Sequence, residues 1–391
     1  MNILFLDWKS IGNEDLIQAA KKLGISVTSY GFDNHIDDDD KEFMEKFEGD
    51  IGKLTLDFVL SFNYFPVVSK VCNKLGIEYA AWVYDNPAVR LFSYTLINKC
   101  NYIFVFDSQM YELFATQGFK NVFYLPMASA VERYDSMAVT DDMARKYGGD
   151  ISFVGQLYTE DHTYYDRLEG KISEYTKGYL EGLINTQMSI QGVNIIESSL
   201  TEQAIAEMEK VLEIKPGYDS VATYEYLYAN YVINRKITAL ERSEIIREIG
   251  KKYPVKLYTK DKTFSAEGVD NRGEADYYLE MPVVFKTSAI NLNISLRSIQ
   301  RGIPLRAMDI MGCGGFLLSN YQEDYLRFFV PGEDFVYYES KRDLMEKIEY
   351  YLSHEEERQD IAKRGHAKIL ADHTYERRLQ EIIDIVTAGG T

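Results

Sequence analysis

Short apolar runs recur along this chain at intervals that leave room for one helix between each pair, and that rhythm narrows the possible folds sharply. Ile3–Leu6, Val27–Tyr30, Phe58–Phe62, Tyr79–Val83, Ile103–Phe106 and Val122–Tyr124 are short enough to be strands. Between them lie helix-like segments around Asp15–Leu23, Lys41–Leu54, Phe65–Leu75, Leu91–Asn98 and Met110–Gln117. Strands alternating with helices of this size predict a parallel, doubly wound sheet over residues 1–147. Pro126 and the polar stretch Asp135–Gly149 read as the link to the next domain.

A second strand start follows at Asp150–Gly155. A mostly helical region, roughly Tyr164 to Lys252, then interrupts the alternation. It returns at Val255–Thr259, Ala289–Ile294, Phe316–Leu318 and Phe335–Tyr338, and the tail is helical over Lys341–Leu352, Glu355–Leu370 and Tyr375–Val386. A chain of 391 residues suits two domains of about 150–200 residues. The pattern predicts a first domain over 1–147, a second over 148–372 with a helical insertion at about 164–252, and a C-terminal helix in 373–391. No repeat of a fixed period is visible.

Composition excludes several function classes. Apolar residues at 46% and charged residues at 27% describe a soluble globular protein. Forty-three Lys and Arg against 61 Asp and Glu give a net charge of −18. That disfavours nucleic acid, whose binders need a basic patch to displace counterions, and it disfavours docking on an anionic membrane. Cys72, Cys100 and Cys313 are widely spaced and odd in number, which suits reduced, buried thiols in the cytoplasm. The opening MNILFLDWKS runs directly into a strand, and no run approaches the roughly 18 apolar residues of a membrane span.

The stretch from Gly302 to Ser340, GIPLRAMDIMGCGGFLLSNYQEDYLRFFVPGEDFVYYES, carries the most chemistry. It reads as a short helix, a glycine turn, a buried strand, an acidic-aromatic helix, a Pro-Gly turn and a further strand. At these residues the chain resembles the C-terminal nucleotide-sugar domain of GT-B glycosyltransferases. It is most similar to the CgeB-like (spore maturation protein-like) branch, which shows the same LR-x-(F/M)-(E/D)-I-x-x-CGGF-L-L run. The resemblance implies an α/β GT-B fold: two Rossmann-like doubly wound domains facing a cleft, with the last helix crossing back to the first domain. It also implies transfer of a sugar from a nucleotide diphosphate-sugar donor to an acceptor hydroxyl on a glycan, glycolipid or protein, without a metal or other cofactor. The resemblance is specific from about Ala289 to Arg378.

Ligands of open α/β sheets bind beyond the carboxyl ends of the strands, so the candidates are sought there. Arg306 follows Pro304 in the first turn of a helix, where a cation opposes the helix dipole. Beside a diphosphate both the dipole and the guanidinium would face the anion, and Arg306 would stabilise the leaving group; the competing reading is a salt bridge to Asp309. Many retaining GT-B enzymes place glutamates eight residues apart where this chain has Ser298 and Arg306, which leaves the stereochemical outcome open. Arg297 and Arg301, near Gln300, are donor-phosphate candidates, although either one could simply be solvated. Gly155 is a close-approach candidate for the donor phosphates, whereas Gly312, Gly314 and Gly315 are read as turn formers. Tyr258 and Lys260 follow a strand that borders the nucleobase in GT-B folds.

In the first domain, AAWVYDNPAVR places Asp85 at the end of an apolar strand. It is the candidate general base of an inverting transferase or, alternatively, a turn cap before proline. Asn86 and Trp8 are acceptor-side candidates. No metal site is expected: His35, His162, His354, His366 and His373 are scattered, and Asp37–Asp40 leads into a helix as a solvated cap. Three rivals are a nucleotide-sugar epimerase, a dinucleotide dehydrogenase, which the absence of G-x-G-x-x-G disfavours, and a catalytically inactive nucleotide-binding or assembly module of the same shape.

Overall fold

A computed structural model of the chain describes residues 1–159 and 163–389; His162 lies outside them. Among the described residues, the strands form two six-stranded sheets, parallel throughout. The first contains β1 (Asn2–Asp7), β2 (Ser26–Gly31), β3 (Phe58–Phe62), β4 (Glu78–Val83), β5 (Asn101–Val105) and β6 (Val122–Tyr124), in the order β2-β1-β3-β4-β5-β6. The second contains β7 (Gly149–Val154), β8 (Val255–Tyr258), β9 (Val269–Asn271), β10 (Ser288–Asn293), β11 (Leu317–Asn320) and β12 (Val336–Tyr338), ordered β12-β11-β10-β7-β8-β9. The central strands are buried on both faces: every residue of β3 and β5 is buried, as parallel sheets covered by helices require.

The strand order locates the ligand edge of each sheet. The chain leaves β1 for β2 on one side and returns to β3 on the other, so the first sheet reverses direction between β1 and β3. The second sheet reverses between β7 and β10. Crevices at such reversals, beyond the carboxyl ends of the strands, are where doubly wound sheets bind ligands.

The chain divides into two compact units. One comprises Met1–Ala128, Lys215–Thr223 and His373–Thr391, and the other comprises Ser129–Ile214 and Tyr224–Asp372. Two boundaries differ from the sequence expectation. Residues 129–147, read as the end of the first domain and its link, are two helices (Val131–Ser136 and Asp141–Tyr147) of the second unit. The reason is Tyr134, fully buried, whose hydroxyl donates to Asp309 at 2.7 Å. The short segment Lys215–Thr223, read as part of the insertion, returns to the first unit. There Tyr94 N–H donates to the Asp219 carbonyl, Val221 N–H donates to the Phe92 carbonyl, and Lys70 pairs with Asp219 at 3.3 Å.

The last helix, Tyr375–Gly389, belongs to the first unit. Tyr375 packs edge-on against Trp82, and Glu376 pairs with Lys22 at 2.8 Å. Leu91–Asn98, expected as a helix, forms two 3-10 turns, the second capped by the Ser93 hydroxyl. Among the described residues no helix is long and apolar enough to cross a membrane.

Candidate functional site

At the direction reversal of the second sheet stands Arg242, which sequence reading did not single out. It lies in the helix Asn234–Gly250. Its Nε donates to the Ile294 carbonyl at 2.9 Å, just past β10, and its Nη1 donates to the Gln156 carbonyl, just past β7. The guanidinium also lies over the rings of Phe153 and Tyr158, 5.5 and 5.3 Å from their centroids. Arg242 thus ties together the two strand ends that frame the crevice. Its contacts are carbonyls and rings, while the adjacent Glu241 carboxylate is taken by Arg297. Burial pushes the Arg242 guanidinium below the usual arginine range, and the nearby charge of Arg306 pushes the same way. Arg242 and Arg306 are near enough for their charges to interact, and two such cations suit an anionic ligand.

Arg306 occupies the first turn of the helix Leu305–Gly312, directly after the capping Pro304. Its side chain is about a quarter exposed, at 26%. Nη1 lies 3.4 Å from Asp309 Oδ2 and against Met281 Sδ, and the group sits 5.8 Å from the Phe285 ring centroid. The salt bridge to Asp309 is therefore made, and part of the Arg306 side chain still faces solvent. Gly155 directly follows β7, and its N–H donates to the Tyr258 carbonyl. A Cβ on Gly155 would meet Phe153 at 3.4 Å and Arg242 Nη1 at 4.0 Å, an ordinary fit. Packing does not require glycine at this position.

The other donor-side candidates have partners within the protein. Arg297, expected among the phosphate contacts, forms a two-pronged ion pair with Glu241; the two side chains are only 11% and 8% exposed. Its charge is neutralised in place. Tyr258 is buried, and its hydroxyl donates to the Tyr147 carbonyl at 3.1 Å. Arg301, half-buried, pairs with Glu323 at 3.1 Å, and Lys260, exposed, pairs with Glu274 at 3.6 Å.

The reading of the glycines as turn formers matches the geometry. Gly314 holds a φ of +75°, and a Cβ on Gly315 would press within 2.7 Å of Asn291 Nδ2 and the Phe285 carbonyl.

A small polar pocket lined by Asn194, Ser295, Gln300, Asn320 and Tyr321 lies beside the carboxyl ends of β10 and β11. It is shaped by buried amides: Asn320 Oδ1 accepts the Ser295 N–H at 2.8 Å, and Asn293 donates to Ser319 Oγ at 2.9 Å. A groove of about 640 Å³ opens at the opposite, amino ends of the strands, around Gly149, Ser288 and Phe316. Its charged lining is mixed, with Asp135 and Glu355 beside Arg358 and Lys363.

On the first unit, the sequence candidates gather at the carboxyl ends of β1, β3 and β4. Trp8 Nε1 donates to the Phe62 carbonyl at 3.0 Å. Asn63, in left-handed backbone with φ 62°, accepts the N–H groups of Tyr84 and Asp85 on its side-chain oxygen and donates Nδ2 to Asp85 Oδ2 at 2.6 Å. Asp85 is exposed, with one carboxylate oxygen oriented by Asn63, and Asn86 precedes Pro87 through a cis peptide bond. Asp40 caps the helix Lys41–Ile51, and Asp38 pairs with Arg90. Among the described residues, no three His, Cys, Asp or Glu side chains gather as metal ligands.

Comparison with known proteins bears on the fold. No curated protein matches the chain by sequence. Solved structures share its fold over nearly its whole length. A glycosyltransferase from Rickettsia africae is 10% identical, with 99% of this chain and 98% of that one covered at a TM-score of 0.55. Anabaena HepE, in complex with UDP and glucose, is 10% identical, with 99% and 100% covered at 0.56. Sucrose-phosphate synthase from Thermosynechococcus elongatus is 11% identical, with 99% and 98% covered at 0.55. The fold is that of GT-B glycosyltransferases, and residues 237–384, which carry Arg242, Arg306 and Asp309, match the family described as glycosyl transferase-like.

Proposed function

We propose that this chain transfers a sugar from a nucleotide diphosphate-sugar to an acceptor hydroxyl, with the donor held by the second unit. The observation that carries the reading is a pair of arginines: Arg242, half-buried on the strand-end carbonyls at the reversal between β7 and β10, and Arg306, partly exposed in a helix's first turn. As the bond from the anomeric carbon to the phosphate oxygen breaks, negative charge grows on the departing diphosphate. Fixed cations and helix N–H groups stabilise that charge more than they stabilise the intact donor, which lowers the barrier. The reading needs no metal for this step. Anabaena HepE binds UDP and UDP-glucose, which makes uridine nucleotides the first donors to try.

Asp85 is our candidate for the acceptor side. In an inverting reaction it takes the proton of the acceptor hydroxyl as that oxygen bonds to the anomeric carbon. In a retaining reaction it orients the hydroxyl. The acceptor class stays at the level of a hydroxyl on a glycan, glycolipid or protein. The three buried cysteines, none in a disulfide, fit our placing of this reaction in the cytoplasm, where thiols are kept reduced.

The test is a thermal-shift and nucleotide-release panel of UDP-, GDP-, dTDP- and CDP-sugars, each with and without EDTA. Stabilisation by one base, with EDTA-insensitive release of its nucleotide, is expected. Arg306→Ala should lower kcat by on the order of 10²-fold. A wild-type kcat in that variant removes Arg306 from the mechanism, and stabilisation without release or transfer favours an inactive binding module.

A further inference from the structure

We infer that Asp309 is a positioning residue that aims the Arg306 guanidinium at the departing diphosphate. This rests on the donor reading above and extends it one residue inward. Asp309 lies one helical turn after Arg306 and is 1% exposed. Its two oxygens have separate tasks. Oδ1 accepts the hydroxyls of Tyr134 at 2.7 Å and Tyr277 at 3.1 Å, while Oδ2 faces Arg306 Nη1 at 3.4 Å. The hydroxyls come from different parts of the second unit, the helix Val131–Ser136 and the segment before Met281–Thr287. Together they fix the rotation of the carboxylate and hence the oxygen that Arg306 meets. Arg133 lies over the rings of Tyr134, Tyr277 and Tyr278, at 4.6, 5.4 and 4.9 Å, and holds that aromatic support in place.

An ion at this position is costly to bury, and burial raises the Asp309 carboxyl to about 6 against the pull of Arg306 and the two tyrosines. A neutral side chain of similar shape would fill the space at lower cost. Its carboxylate gives the arginine one fixed partner, where a long side chain at a helix start would otherwise sample several rotamers. The Arg306 side chain, a quarter exposed, stays within reach of a ligand.

The experiment titrates the full-length chain with inorganic pyrophosphate at pH 8 by calorimetry, comparing wild type, Arg306→Ala, Asp309→Asn and the double variant. Pyrophosphate carries the shared diphosphate chemistry whatever base or sugar the donor has. Arg306→Ala should weaken binding by about tenfold or more, and Asp309→Asn by about three- to tenfold. Because Asp309 acts through Arg306, the double variant should bind no more weakly than Arg306→Ala alone.

A purely structural Asp309 would instead lower the melting temperature when replaced; Asp309→Asn should melt at or above the wild-type temperature at pH 8. Unchanged affinity in Asp309→Asn beside a weakened Arg306→Ala overturns the inference and leaves the donor reading standing, as does full additivity in the double variant. Wild-type affinity in Arg306→Ala, or no pyrophosphate binding at all, overturns both. Should Asp309→Asn fail to fold, Tyr277→Phe removes one hydroxyl from the carboxylate without changing charge. It should lose affinity in the same Arg306-dependent way, and full affinity in it overturns the inference.

Discussion

Three arginines within ten residues, Arg297, Arg301 and Arg306, look alike in sequence and differ in the folded chain. Arg297 is neutralised by Glu241 in a nearly closed pair, Arg301 meets the half-exposed Glu323, and Arg306 meets the buried Asp309 with a quarter of its own side chain exposed. Removing one partner of a buried pair leaves the other charge without compensation. Arg297→Ala should therefore cost about 3–5 kcal/mol of stability, against at most about 1 kcal/mol for Arg301→Ala. Urea unfolding of both variants checks this, and equal losses would mean that Glu241 finds another partner. Clustering of charge was legible in the sequence; neutralisation was not, because Glu241 lies 56 residues before Arg297. Arg242 was hidden for the same reason. Its meaning comes from carbonyls 86 and 52 residues away that only the sheet brings together.

Elements were easier to read than their partners. Buried parallel strands announce themselves as apolar runs, and every described strand but one coincides with such a run. The exception, β9, is a three-residue edge strand, Val269–Asn271, with a single apolar residue to mark it. The helices of residues 129–147 looked like a linker because their exposed residues outnumber a few anchors such as Tyr134. The return of Lys215–Thr223 to the first unit depends on backbone hydrogen bonds, which leave no trace in residue type.

The glycines around the first helix and strand of the donor motif show how an element-level reading becomes a test. At Gly315 a methyl group would strike a backbone carbonyl and a buried amide that have nowhere to move. Gly315→Ala should cost about 1–3 kcal/mol by overpacking. Gly155→Ala should stay within about 0.5 kcal/mol of wild type in stability and yet weaken pyrophosphate binding if phosphate approaches that backbone. Thermal melts paired with calorimetry separate the two roles. A stable Gly155→Ala with undiminished binding would remove Gly155 from the donor site.

At the scale of the whole molecule, two buried groups, one in each unit, should give opposite responses to acid. His373, in the first unit, is 2% exposed; burial and then the charge of Arg378 push it down to about 3. Its Nδ1 faces Arg378 Nη2, so the neutral ring accepts the hydrogen bond. The unfolded chain takes up this proton near pH 6.5 and the folded chain does not. Stability from His373 is therefore complete above about pH 6.5 and lost as pH falls, by about 2 kcal/mol on reaching about pH 5.

Asp309, in the second unit, has the opposite sign. Its folded carboxyl is raised from 3.8 to about 6, so its contribution is complete below the unfolded value and lost as pH rises through the folded one. Going from pH 7 to pH 5, His373 weakens the first unit while Asp309 strengthens the second. His373→Asn keeps an acceptor near Arg378 and removes the titration, so its melting temperature should fall less than that of wild type over this interval. Asp309→Asn removes the compensating gain and should fall more. Melting curves of the three proteins at pH 7 and pH 5 decide the matter. Parallel shifts in all three would mean that neither group sets the acid response, and the carboxylates of this chain, with its net charge of −18, would carry it collectively.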